Sequence, residues 1–222
     1  MLVVGASASG VQIAAEIQAS GRAVILAAGN HLRLPRRYRG RDIEWWLDTI
    51  CALDEGIEAV DDLDRVRSTP SPQLTGQGYD VDLGALQALG IEITGRLCQV
   101  RDGCALFSGG LGPLVQSADL KLARLCRRID DWAAEHLPGA SLPAAERPAP
   151  TPIPTAPRRE LDLTTGGMGT VIWATGYRPD FSWLGLLVFD QRERLRHLGG
   201  VAIGQPASTS SACRSCAAAA QR

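Results

Sequence analysis

Gly5-Ala6-Ser7-Ala8-Ser9-Gly10 is the segment of this chain whose residue types and spacing point most directly to chemistry. It follows the apolar run Leu2-Val3-Val4 and opens the stretch Val11 to Ser20, in which Val11, Ile13, Ala14, Ala15 and Ile17 favour one side of a helix. Small residues at such a strand-to-helix turn let a pyrophosphate come close to the backbone. Gly5 permits the tight turn, Gly10 lets the helix pack on the sheet, and the free N–H groups of the first helical turn favour an anion. The pattern is a G-x-S-x-S-G variant of the dinucleotide fingerprint, and all six residues, Gly5, Ala6, Ser7, Ala8, Ser9 and Gly10, are candidate cofactor contacts. The plainer alternative is a structural Gly/Ser turn.

The end of the next apolar run, Ala23 to Ala28, indicates which dinucleotide is bound. A site selective for NAD places Asp or Glu about 20 residues beyond the fingerprint, on the ribose 2′-hydroxyl. Here Ala27, Ala28, Gly29 and Asn30 stand there, and His31, Arg33, Arg36 and Arg37 follow. Arginine forks match a 2′-phosphate in geometry and charge, so the reading is NADPH. The other reading of His31 to Arg41, with five arginines and no acid, is a solvated basic loop.

Other chemistries are excluded on residue grounds. Lys121 is the only lysine, and Ser117 stands four positions before it, where a short-chain reductase needs a tyrosine. The same lysine lacks a preceding glycine loop, so there is no P-loop. His31, His136 and His197 lie in separate contexts, and no metal site is expected. The 222 residues carry a net charge of −1, which gives no general pull toward nucleic acid. With no apolar run long enough for a membrane span and no basic leader, a cytoplasmic protein is expected. Six scattered cysteines do not read as a disulfide framework, and Cys213-x-x-Cys216 lacks the second pair that a metal site needs.

Positioning the fingerprint requires strand, turn, helix and strand in succession, the first unit of a parallel α/β sheet. DIEWWLDTICALDEG reads as a helix, VDLGALQALG into IEITG as a further αβ unit, and RLCQV-RDG-CALFS as a hairpin. Ser117 to His136 reads as an amphipathic helix. Seven of the 13 prolines fall between Pro138 and Pro157, which predicts an extended, exposed linker over 138–160. The fold expected is α/β: a Rossmann-like, doubly wound parallel sheet over 1–137 with a small β-hairpin insertion. Its last strand and the return toward a second domain follow over 161–200.

GTVIWATGYRPD reads as a buried strand that turns at Gly176, and its Ala174-Thr175-Gly176-Tyr177 suits a backbone approaching a flat ligand. Together with GASASG, this motif resembles the flavin-containing monooxygenase superfamily. LRLPRRYRGRDIEWWLD and PSPQL resemble a bacterial branch of it, NAD(P)/FAD-dependent oxidoreductases labelled as flavoproteins involved in potassium transport. The resemblance covers roughly residues 1–200. It implies hydride transfer from NADPH to FAD, then activation of dioxygen to oxygenate a small-molecule substrate that the sequence does not identify. It places Thr175 and Gly176 at the crossing from the NADPH domain to the FAD domain.

The chain departs from that family at both ends. Members begin with an FAD-binding unit carrying its own G-x-G-x-x-G, whereas this chain opens on the second nucleotide unit, so a fragment with only a remnant of the FAD domain is expected. After Gly200 the family returns through a GLYVLG-type strand, and here the tail 201–222 ends ASTSSACRSCAAAAQR. Of the 23 basic residues 22 are arginine, a GC-rich coding signature. Written in such codons, the tail read from its third nucleotide gives LYVLGLPFLRRRR, which indicates a frameshift just before Ala207. The alternative function is a non-catalytic dinucleotide-binding fragment or pseudogene product.

Overall fold

The structure is a computed structural model that describes residues 1–54, 56, 60–62, 66, 68–74, 80–139, 141–165, 168–177, 179–185, 188–191, 194–198 and 201–203. The stretch from Ala207 onward that the sequence reading assigns to a frameshift, with Cys213 and Cys216, lies outside the described residues. The chain divides into two units, one of residues 1–43 and 70–176, the other of residues 44–69 and 177–222.

The first unit is mixed α/β. Four short strands, β1 (Leu2–Val4), β2 (Ile25–Ala27), β7 (Glu92–Thr94) and β11 (Val171–Trp173), numbered in chain order, form a parallel sheet in the order β11-β1-β2-β7. In register, Val3, Leu26, Ile93 and Ile172 lie side by side. Strand side chains alternate between faces, so these four share one face. They pack with Val11 and Ala14 of α1 (Ala8–Ala19), with Leu83 and Leu86 of α3 (Leu83–Ala88), and with Leu111 and Val115 of α4 (Leu111–His136). The other face, Leu2, Val4, Ala27 and Val171, packs with Ala105 and Phe107. These two belong to a three-stranded antiparallel sheet of β8 (Leu97–Arg101), β9 (Cys104–Phe107) and β10 (Glu160–Asp162). Both faces of the parallel sheet are covered, which is why its strands read as near-continuous apolar runs.

Local chemistry sets the element ends. Gly21 takes φ +83° and its N–H donates to Gln18 O at 2.9 Å, closing α1 in the left-handed conformation that glycine adopts freely. The hairpin expected at RDG forms between β8 and β9, with Asp102 and Gly103 both at positive φ. α4 starts six residues earlier than the expected Ser117, at Leu111. Pro113 falls in the first turn, where a missing N–H breaks no intrahelical bond.

Two further expectations are corrected. The helix read through DIEWWLDTICALDEG is shorter: α2 (Ile43–Thr49) ends where Cys51 takes φ +50° and Ala52 N–H donates back to Leu47 O at 2.8 Å. The strand before Thr175 is not buried throughout. Among the described residues β11 has β1 as its only neighbour in the sheet, and Trp173 is 62% exposed.

Glu160 opens β10, and up to Arg159 the proline-rich stretch shows no helix or strand among its described residues and is exposed along most of its length. It nevertheless is anchored within the first unit. Thr151 is buried, with its N–H and hydroxyl donating to Asp119 of α4 at 2.8 and 2.9 Å, and Pro152 O accepts from Gln87 at 2.9 Å. In the second unit, β12 (His197–Leu198) and β13 (Val201–Ala202) form an antiparallel pair.

Candidate functional site

Chain order makes one end of the parallel sheet distinctive. From β1 the chain passes to β2 and then to β7 on one side, while β11 lies on the other side of β1. β1 and β11 are parallel neighbours, so the turns that follow them leave the same, carboxyl end of the sheet, the end at which open α/β sheets bind ligands in a crevice. The two motifs singled out in the sequence meet here: Gly5 to Gly10 leaves β1, and Ala174-Thr175-Gly176 leaves β11.

The meeting is tight. Ala174 N–H donates to Val4 O at 2.8 Å, and Gly5 N–H donates to Ala27 O at 3.0 Å, so the backbone stays in ladder register as the turn begins. Gly5 has φ +112°, and a Cβ there would lie 2.8 Å from the carbonyl carbon of Ala174 and nearer still to its oxygen. A Cβ on Gly10 would lie 2.8 Å from the carbonyl carbon of Gly5. Both positions exclude any side chain. Gly176, at φ +85°, turns the chain in open space, and Thr175 is exposed beside it.

α1 begins without a side-chain cap from Ser7 and without an acidic residue in its first turn. Among the described residues no acceptor meets the N–H groups of Ala8, Ser9 or Gly10. These donors stand at the positive end of the helix, where negative charge is favoured.

Two residues that the sequence reading missed brace this loop. Gln73 lies on β6 (Pro72–Gln73), which pairs in parallel with β3 (Leu32–Arg33), and it is 1% exposed. Its Nε2 donates to Ala6 O at 2.7 Å, which leaves Oε1 as a buried acceptor without a partner among the described residues. Gln12 of α1 donates back to Leu74 O at 2.8 Å. Nothing in a turn-rich stretch such as TPSPQLTGQG distinguishes a buried glutamine from an exposed one. Arg96, which the sequence does not single out either, stands two positions past β7 and is exposed.

The structure separates the basic residues after β2. Arg33 is 8% exposed, its Nε donates to Asp82 Oδ2 at 2.6 Å, and one terminal nitrogen donates to Asp119 Oδ1 and to Ala149 O, both at 2.8 Å. Asp82 in turn caps α3 by accepting from Ala85 N–H at 2.8 Å. Burial alone would lower the Arg33 pKa, but Asp82 and Asp119 reverse that and raise it. Its donor edge faces the protein, where it ties β3, α3, α4 and the proline-rich segment together. Arg36 pairs with Asp42 at 2.5 Å. Arg37 is exposed, on β4 (Arg37–Tyr38), beside a cavity of about 390 Å³ lined also by Arg39, Asp80, Pro143 and Arg147. His31 is buried, with Nδ1 3.0 Å from Gly29 O, and burial pulls its pKa below the ordinary value.

Comparison with protein-family models, curated proteins and solved structures finds no match for this chain. The geometry of the sheet end therefore carries the functional argument. Among the described residues no helix is long and apolar enough to cross a membrane.

Proposed function

We propose that this chain is the NADPH-binding part of an FAD-dependent, monooxygenase-type oxidoreductase, with a Rossmann-like fold. The observation that carries the reading is the convergence of two glycine-restricted turns, Gly5 to Gly10 and Ala174 to Gly176, at the shared carboxyl end of the neighbouring strands β1 and β11. The cradle fits the group: positions that a Cβ would fill are glycine, and the first-turn N–H groups of α1 have no acceptor of their own. NADPH supplies a hydride, which FAD accepts for the oxidation chemistry.

The protein's own part is to bind and orient. Ala8, Ser9 and Gly10 N–H groups hold the pyrophosphate, Gly5 and Gly10 keep the backbone clear of it, and Gln73 draws the Ala6 carbonyl back. Thr175 and Gly176 border the nicotinamide side of the crevice.

The test is titration of the purified chain with NADPH, followed by dihydronicotinamide fluorescence, for wild type and Ser9→Glu. Ser9 is exposed at the start of α1, where a carboxylate helps the helix by about 0.3–1 kcal/mol but repels a pyrophosphate. Saturable binding that Ser9→Glu removes without lowering the melting temperature supports the reading. Absence of binding by wild type, or equal binding by the variant, refutes it. Oxidation of NADPH on addition of FAD, at a rate proportional to protein, distinguishes a working reductase from a non-catalytic binding module.

A further inference from the structure

The NADPH reading needs a cation for the 2′-phosphate, and the arginines nearest in sequence are largely committed elsewhere. Arg33 faces two carboxylates inside the protein and Arg36 faces Asp42. The carboxyl end of β2, where the adenosine ribose of a bound dinucleotide would lie, has another neighbour. β2 and β7 continue side by side beyond their paired residues, with Ala28 N–H donating to Thr94 O at 2.9 Å. Gly95 and Arg96 follow, beside Gly29.

Arg96 is held in place from below. A Cβ on Gly95 would lie 3.0 Å from the carbonyl carbon of Ser108 and closer to its oxygen, so the chain passes β9 at a distance only glycine permits. Ser108 N–H then donates to Arg96 O at 2.9 Å. The Arg96 stem crosses Gly29: its Cγ and Cδ are 3.8 and 4.0 Å from where a Gly29 Cβ would stand. No ion pair or hydrogen bond engages its guanidinium among the described residues. Glu92, on the preceding strand β7, is taken by Arg158 at 2.7 Å.

We infer that Arg96 is the residue that selects a 2′-phosphorylated dinucleotide, its guanidinium reaching over Gly29 to the phosphate on the adenosine ribose. The inference rests on the dinucleotide reading of the same site. An exposed arginine with a pinned backbone and a stem laid along the strand ends presents its fork outward, as recognition of a phosphate requires. Gly29 leaves room for the stem, and an acid at Gly29 would both crowd it and neutralise it.

Calorimetry on the full chain with two probes, 2′-phospho-ADP-ribose and ADP-ribose, tests this. Wild type should prefer the first by about tenfold or more, the range for a charged hydrogen bond. Arg96→Gln should erase the preference through weaker binding of the phosphorylated probe alone, with an unchanged melting temperature because the side chain is exposed. An unaltered preference in Arg96→Gln, an equal loss for both probes, or a preference lost only in Arg37→Gln overturns the inference. Binding of ADP-ribose by wild type without preference overturns it too but leaves the dinucleotide reading standing. Binding of neither probe removes both.

Discussion

Gly10 lies directly beneath the carbonyl of Gly5, so close that a methyl group on Gly10 would lie 2.8 Å from the Gly5 carbonyl carbon. The turn and the helix that follows it are thereby fitted to each other by the absence of a single atom. That fit brings the first N–H groups of α1 to the end of the sheet.

Gly10→Ala should therefore harm both fold and site. Relief of the overlap must move either the turn or α1, at a cost of about 1–3 kcal/mol, the usual range for overpacking. Urea denaturation should show a lower midpoint, and NADPH binding should be lost even in the folded fraction. A variant as stable as wild type would mean that the loop has slack the geometry does not show.

Arg33→Ala is expected to act on stability and not on cofactor choice. It leaves Asp82 and Asp119 without their shared cation, and breaking such a pair costs about 3–5 kcal/mol when it is well buried; the partial exposure of Asp119 puts the expectation at the lower end. The thermal midpoint should fall. Affinities for NADPH and NADH, measured on folded protein, should change by the same factor, and a loss confined to NADPH would show that Arg33 does reach the ligand.

Gln73→Met separates loop support from packing. The thioether fills the amide's space, removes the unpartnered Oε1, and leaves Ala6 O without its donor, so the two effects oppose and stability should shift by about 1 kcal/mol at most. NADPH affinity should fall several-fold because the loop is no longer held. Unchanged affinity would show that Gln73 only fills space.

His31 makes stability depend on pH. Burial lowers its pKa from 6.5 in the folded protein, outweighing the Gly29 carbonyl and Asp119, which raise it, while Lys121 and Arg33 lower it further. The unfolded chain then binds the proton more readily than the folded one. The contribution of neutral His31 is complete above pH 6.5 and diminishes as pH falls from there toward the folded pKa. His31→Gln should flatten this part of the stability profile, measured by urea unfolding across that range. An identical slope in the variant would assign the acid sensitivity elsewhere.

Much of the core was legible because its signals are local. MLVV, GASASG and VQIAAEIQAS contain a strand, a turn with glycine where no Cβ fits, and an apolar helix face within a few residues of one another. The β8–β9 turn and the left-handed end of α1 are likewise written in RDG and Gly21. α4 begins at Leu111, ahead of the Ser117 expected, and Gly112 and Pro113 are tolerated there because they fall in its first turn.

The roles of the arginines were not local and could not be read. His31 to Arg41 announces a positive charge, but whether a guanidinium faces solvent depends on acids 49 and 86 positions away, Asp82 and Asp119. That a glycine-restricted turn joins a buried strand to a helix was legible in the residues alone, because steric exclusion acts between near neighbours. Tertiary structure alone decided that this turn meets Ala174 and rests on Gln73, that Arg33 is enclosed, and that Arg96 lies free over Gly29. Those relations depend on which strands become neighbours in the sheet, and strand order is a property of the whole packed core.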